Sequence, residues 1–253
     1  MDITRFHTIL HKYSEDAPIM VFLHDSLGCC MLWRDFPEKL ALAAGTNIFI
    51  YDRIGYGRSS AFGKEPRQHD YMEKEADTLI LLLEQNNIRK AILFGHSDGG
   101  TIALLAAAKY PERIGAVITE GAHVFVEEKT LEGIRIAQEQ YRDTDLGKRL
   151  EKYHGNKTRQ VFEAWTGIWL SPSYREWNIE HFLPLITCPV LVIQGTNDEY
   201  GTEAQVNAII SQVTGPSEKC MVVNAGHTPH RQSELWVINA CCDFLRKYQL
   251  IFN

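Results

Sequence analysis

Gly95-His96-Ser97-Asp98-Gly99 sets a serine between glycines two residues to either side. The apolar run Ala91–Phe94 precedes it, and the small, apolar stretch Gly99–Tyr110 follows. A serine on a turn from buried strand to buried helix is strained, and its hydroxyl projects above the sheet. The glycines remove Cβ atoms that would collide at so sharp a turn. A serine hydroxyl is a weak nucleophile at neutral pH and needs a base. The chain has ten histidines. His227, in Asn224-Ala225-Gly226-His227-Thr228, directly follows the strand-like run Cys220–Val223. A loop at the carboxyl end of a strand reaches over the sheet to such a serine. His230 is the competing choice, while the ring of His96 is expected to diverge from Ser97 at the turn. The base needs a carboxylate to fix its tautomer and stabilise the imidazolium. Asp198 closes a turn after Val190–Ile193, with Glu199 beside it and Glu120 as a second-choice acid. The expected chemistry is attack by Ser97 on a carbonyl, proton transfer by His227, and orientation of His227 by Asp198.

The oxygen that gains charge in such a reaction needs backbone N–H donors. One is expected from Asp98, the residue after the nucleophile. A second is expected from Ser26 in the loop His24-Asp25-Ser26-Leu27-Gly28. The Asp98 side chain has two readings. It caps the following helix, as acids do near helix N-termini, or it faces the pocket and binds a cationic group. Asp25 and Glu120 would add negative potential at the same mouth and disfavour anionic substrates. Gly55-Tyr56-Gly57 lacks the third glycine and long helix of a dinucleotide site. No His, Cys or acid spacing has a metal-ligand pattern, so no metal and no cofactor is expected.

These residues need a frame. Short apolar runs at Ile19–Leu23, Asn47–Tyr51, Ala91–Phe94, Ala116–Thr119, Val190–Ile193 and Cys220–Val223 have the look of strands buried on both faces. Helical patterns cover Leu32–Ala44, Asp70–Gln85, Gly99–Tyr110, Glu203–Val213 and Glu234–Lys247. Their alternation implies a mostly parallel sheet with helices on both faces, an α/β fold. From Val124 to about Leu185 no strand is evident. This insert is too long for a bare loop and is expected to carry its own helices. The expected division is a core over residues 1–123 and 186–253, with a helical cap over 124–185. Phe162, Trp165 and Trp169 share one helical face of the insert, which either packs it onto the core or roofs an apolar pocket. Trp165 and Trp169 are therefore candidate substrate contacts.

The runs FLHDSLG, YDRIGYGRS, GHSDGG, QGTNDEYG and AGH together resemble the α/β-hydrolase superfamily over nearly the whole chain. The order Ser97, Asp198, His227 is the one expected of that group. The resemblance implies a sheet of about eight strands, a helical cap after the sixth, and no cofactor. Asp25 departs from the pattern, in which Gly is usual after the histidine. GHSDGG followed by AAKYPERI, with the stretches Ala122–Arg135 and Tyr153–Trp165, is similar to the valacyclovir-hydrolase (biphenyl hydrolase-like) group. Substrates in that group are esters of α-amino acids, whose ammonium an acid at position 98 would suit. Members of the superfamily that use an Asp nucleophile, dehalogenases and epoxide hydrolases, are excluded by Ser97.

Composition agrees with an ordinary globular enzyme: 45% apolar and 23% charged residues, with a net charge of −6. No basic block provides a footprint for nucleic acid. No signal peptide is expected, and no run approaches the ~20 apolar residues of a membrane span, so the expected location is the cytoplasm. The six cysteines include two adjacent pairs and no C-x-x-C, which favours buried reduced thiols. The function expected is hydrolysis of a small to medium carboxylic ester, α-amino-acid esters included, through an acyl-enzyme on Ser97. Lactones, carbon–carbon substrates on the same triad, and a non-catalytic receptor on this scaffold are the alternatives. The partner is a small molecule, with neither nucleic acid nor membrane, and no oligomeric state is implied.

Overall fold

The computed structural model describes residues 3–63 and 65–251. The outermost residues of the expected core segments, 1, 2, 252 and 253, lie outside the described residues. Seven strands form one sheet: β1 (Thr8–His11), β2 (Ile19–Leu23), β3 (Asn47–Tyr51), β4 (Ala91–His96), β5 (Ile114–Glu120), β6 (Val190–Gly195) and β7 (Ser217–Val222). Their order is β1-β3-β2-β4-β5-β6-β7, all parallel except β1, which runs antiparallel to β3. Among the described residues the count is seven where about eight were expected. A single edge strand, β1, closes the sheet beside β3, so every later strand number falls by one. The helical insert accordingly follows the fifth strand and not the sixth.

Side chains alternate across the sheet, as the strand repeat demands. Val21, Leu23 and Leu93 face one side, with α2 (Tyr71–Gln85), α3 (Asp98–Lys109) and α7 (Glu203–Gln212). Met20, Phe22, Ile92 and Phe94 face the other, with α1 (Phe36–Ala44) and α9 (Glu234–Lys247). Phe22, Trp33, Phe36 and Phe94 nest there with centroids 5.2–6.3 Å apart. Removing one such ring costs about 3–5 kcal/mol. The helix expected over Leu32–Ala44 is broken at Arg34 (φ 54°) into a 3₁₀ turn and α1, with Pro37 in its first turn.

Between β5 and β6 lie α4 (Glu128–Asp143), α5 (Leu146–His154) and α6 (Thr158–Trp169). The ends of this stretch meet where Ile179 N–H donates to Val124 O (2.8 Å). A short α8 (Pro229–Gln232) precedes α9. The sheet order reverses at β2, which has β3 on one side and β4 on the other. Ligands of open parallel sheets bind at such a switch point, beyond the carboxyl ends of the strands. The loops after β2 and β4 meet there, with Leu23 in register with Gly95.

Candidate active site

Ser97 sits between β4 and α3 with φ 54° and ψ −120°, a conformation a non-glycine residue adopts only under local compulsion. Its N–H donates to Glu120 O on β5 (2.8 Å). A methyl group at Gly95 would overlap the Gly99 backbone, and one at Gly99 would overlap the Leu23 carbonyl. Only glycine at both positions lets α3 start this close to β2 and β4.

His227 follows β7 and Asp198 follows β6. His227 Nδ1 lies 2.9 and 3.0 Å from the two carboxylate oxygens of Asp198. Asp198 Oδ1 also accepts the N–H groups of Tyr200 (2.8 Å) and Gly201 (3.2 Å). Burial works to raise the Asp198 pKa, but the His227 charge and these donors outweigh it and hold the carboxyl below its usual range. An ionised Asp198 accepts a hydrogen bond from Nδ1–H and so keeps the proton of the neutral ring there, leaving Nε2 as the basic nitrogen. Glu199 is not the acid that orients the ring. It accepts the backbone N–H of His227 (2.8 Å) and holds the loop. Among the described residues no hydrogen bond joins Ser97 Oγ to His227, but both line one cleft. Such contacts often tighten only once substrate is bound.

His230 belongs elsewhere. Its Nδ1 donates to Glu120 Oε2 and its backbone N–H to Glu120 Oε1, each at 2.5 Å, and both residues are buried. Glu120 therefore adds no charge at the pocket mouth. His96 diverges from Ser97 as expected, and its Nε2 lies 2.8 Å from His227 O. Its Nδ1 is 3.8 Å from Asp25 Oδ1.

In the loop after β2, Leu27 N–H donates to Asp25 Oδ2 (3.3 Å) and Gly28 N–H to Asp25 O (3.1 Å). The Ser26 N–H has no acceptor among the described residues. Asp98 opens α3, where the first-turn amides have no intrahelical acceptor. Two backbone N–H groups without an acceptor among the described residues, those of Ser26 and Asp98, thus border Ser97. The Asp98 side chain makes no cap bond, since the cap position is Ser97. Its Oδ2 accepts from Tyr71 Oη (3.1 Å) and lies 3.6 Å from Arg53 Nη1, while Oδ1 has no partner among the described residues.

The cleft is open to solvent, and the empty space in it and at its mouth is about 440 Å³. Ser97, His227, Ser26, Asp25 and Asp98 share its lining with Trp165 and Trp169. The tryptophans both roof it and pack the insert, for Trp169 Nε1 donates to Tyr71 Oη (3.2 Å). Sequence reasoning missed His123, Tyr200, Thr130 and Ile134 in the lining. His123 and Tyr200 follow the ends of β5 and β6, which was the available signal; burial lowers the His123 pKa and keeps its ring neutral.

The fold also gathers His7, Cys30 and Asp52, which no spacing had linked. Asp52 already accepts Cys30 N–H (2.6 Å) and Arg58 N–H (2.8 Å), and burial pushes the Cys30 thiol up, so it stays protonated. That donor set does not fit a resident metal.

A family model described as alpha/beta hydrolase fold matches residues 18–158, more than half of the chain. Serine hydrolase BPHL of Mus musculus is 32% identical over 175 residues, covering 66% of this chain and 59% of that protein. The chain thus spans less than two thirds of that relative's length. A solved carboxylesterase from Nitrososphaera gargenis superposes with TM-score 0.76 at 20% identity, covering 96% of this chain and 95% of that one. The enol-lactonase from Burkholderia xenovorans LB400 gives TM-score 0.74 at 19% identity, covering 95% and 96%.

Proposed function

The chain belongs to the alpha/beta-hydrolase family, and from that premise we propose a serine hydrolase that cleaves a small carboxylic ester through an acyl-enzyme on Ser97. The supporting observation is one cleft lined by Ser97, His227, Ser26 and Asp98, with His227 fixed by Asp198 at 2.9 and 3.0 Å. In this reading His227 Nε2 takes the Ser97 proton as Oγ attacks the carbonyl carbon. The Ser26 and Asp98 amides receive the oxyanion. His227 then protonates the leaving alkoxide. Water, activated by the same nitrogen, cleaves the acyl-enzyme and returns the proton to Ser97.

The lining supports a substrate class. Trp165, Trp169, Ile134 and Leu27 make an apolar wall, and beside Ser97 the Asp98 Oδ1 has no partner among the described residues. An acyl group of modest size with an α-ammonium fits both, and BPHL's standing as a serine hydrolase agrees. A lactone is a cyclic ester and needs no different machinery, so lactones belong in the substrate panel. Two p-nitrophenyl esters, one with an uncharged acyl chain and one with an α-ammonium on an acyl group of similar size, test the reading beside Ser97→Ala. The native enzyme should turn over at least one of them and take up a fluorophosphonate at Ser97. Ser97→Ala should do neither; turnover retained in that variant would overturn the mechanism.

A further inference from the structure

We infer that Arg53 is a positioning residue for the oxyanion site, aiming and polarising the Ser26 amide from behind. The inference rests on the reading of Ser97 as nucleophile and Ser26 N–H as oxyanion donor. In a trans peptide the C=O and the following N–H point in opposite directions across one rigid plane. Whatever fixes the Asp25 carbonyl therefore fixes the direction of the Ser26 N–H.

That carbonyl is unusually well held. Arg53 Nη2 donates to Asp25 O at 2.7 Å, His24 Nδ1 at 2.8 Å, and Gly28 N–H at 3.1 Å. Arg53 Nη2 also donates to His24 O at 3.2 Å. The histidine is locked in turn, because its Nε2 accepts the backbone N–H of Arg53 (3.1 Å). Burial, with the Arg53 charge, lowers the His24 pKa to about 3, so the ring is neutral and Nδ1 carries the proton for Asp25 O. Three donors on one face of the peptide leave the Ser26 N–H directed to the other.

Charge adds to geometry. A guanidinium donating to the carbonyl is a charge-assisted bond, and hydrogen bonds in series polarise one another in a low dielectric. Arg53 is buried, so solvent screens little of this. The same guanidinium stands 3.6 Å from the carboxylate of Asp98, the residue whose amide is the other oxyanion donor. One side chain from the loop after β3 thus touches both halves of the site. Lysine would keep the charge but lose the planar fork whose Nη2 holds both carbonyls while Nη1 faces Asp98.

The test compares Arg53→Lys and Arg53→Met with the native enzyme and Ser97→Ala, using an uncharged p-nitrophenyl ester and an alkyl trifluoromethyl ketone. The ketone adds Ser97 Oγ to give a tetrahedral oxyanion. Loss of one oxyanion donor costs roughly 10²–10³ in kcat. Misaiming that donor should lower kcat by about 10- to 100-fold in Arg53→Met and about 5- to 10-fold in Arg53→Lys, with KM changed less than about threefold. The inhibition constant of the ketone should rise by the same factor as kcat/KM falls. A purely structural role would lower the melting temperature without that parallel. Arg53→Lys with kcat and ketone affinity within twofold of native overturns the inference, and it remains informative if Arg53→Met fails to fold. Turnover surviving in Ser97→Ala instead overturns the underlying mechanism.

Discussion

Asp98→Asn separates recognition of a cation from support of the fold. The substitution keeps the shape of the side chain, and its carbonyl oxygen can still accept from Tyr71 Oη, which now lies 3.1 Å from Oδ2. What disappears is the charge at Oδ1. A hydrogen bond to a charged group contributes about 1.5–3 kcal/mol. Two unit charges 4 Å apart at an effective dielectric near 20 attract by about 4 kcal/mol. Arg53, 3.6 Å from the other carboxylate oxygen, opposes an incoming ammonium and trims that attraction. A net of about 2 kcal/mol corresponds to roughly a 30-fold change. The assay is the ratio of kcat/KM for the α-ammonium ester to that for the uncharged ester, at pH 6.5 and low salt. The ratio should fall about 30-fold in Asp98→Asn, chiefly through KM, with the uncharged ester within about threefold of native. Asp98→Glu should recover part of it. A ratio unchanged in Asp98→Asn would refute the reasoning and leave Asp98 as the counter-ion of Arg53 alone.

Asp198→Asn leaves the geometry but offers Nδ1 the wrong partner, so kcat should fall about 10⁴-fold with the melting temperature little changed, as read by ester turnover and calorimetry. The Asp25–His96 pair predicts a pH dependence of stability. Burial alone would lower the His96 pKa, but Asp25, Glu120 and the His227 carbonyl raise it from 6.5 to about 9. Its contribution is therefore complete below pH 6.5 and lost as pH rises through about 9, up to about 3 kcal/mol in all. The Asp25 carboxyl is depressed, against the opposing effect of burial, so its contribution is present above its ordinary 3.8 and lost as pH falls below that value. Denaturant melts from pH 6 to 9.5 should show the alkaline loss in the native protein and a shallower one in Asp25→Asn.

The six strands that carry or flank the site were legible because burial on both faces leaves continuous apolar runs. Ile19–Leu23 and Asn47–Tyr51 were read to the residue. β1 was not, because Thr8–His11 is an exposed edge whose sequence, TILH, has no hydrophobic pattern. Its order comes from the backbone ladder with β3, which composition does not encode. The break at Arg34 was written in Asp35 and Pro37, but the apolar period of the region masked it. The loop after β2 was legible by position, whereas the bonds Arg53 makes to it were not. Its partners His24 and Asp25 lie 29 and 28 residues earlier in the chain. Only the adjacency of β2 and β3 brings that loop onto those carbonyls.

The misplacement of Glu120 has a legible cause, and it yields a contrast with Asp198. Glu120 shares the parity of Ala116 and Ile118, which face the α1 and α9 side of the sheet. Its side chain therefore goes beneath Trp33 and Phe36, where His230 meets it (ring centroids 5.0 Å from both). Both His227–Asp198 and His230–Glu120 are histidine–carboxylate pairs near Ser97, but of these two histidines only His227 lines the cleft. Burial opposes the Glu120 charge, yet His230 and its N–H keep the carboxyl below the usual range. A hydrogen bond to a buried carboxylate contributes about 1.5–3 kcal/mol, so an isosteric amide that removes the charge and keeps one bond costs about 2 kcal/mol. For a chain of this size that is a fall of about 4–8 °C in Tm. Glu120→Gln should thus melt earlier while its kcat on the better ester stays within about threefold. Asp198→Asn should do the reverse. A Glu120→Gln protein that keeps its Tm and loses activity 10³-fold or more would mean that the proton relay runs through His230, and the assignment of the base would have to be exchanged.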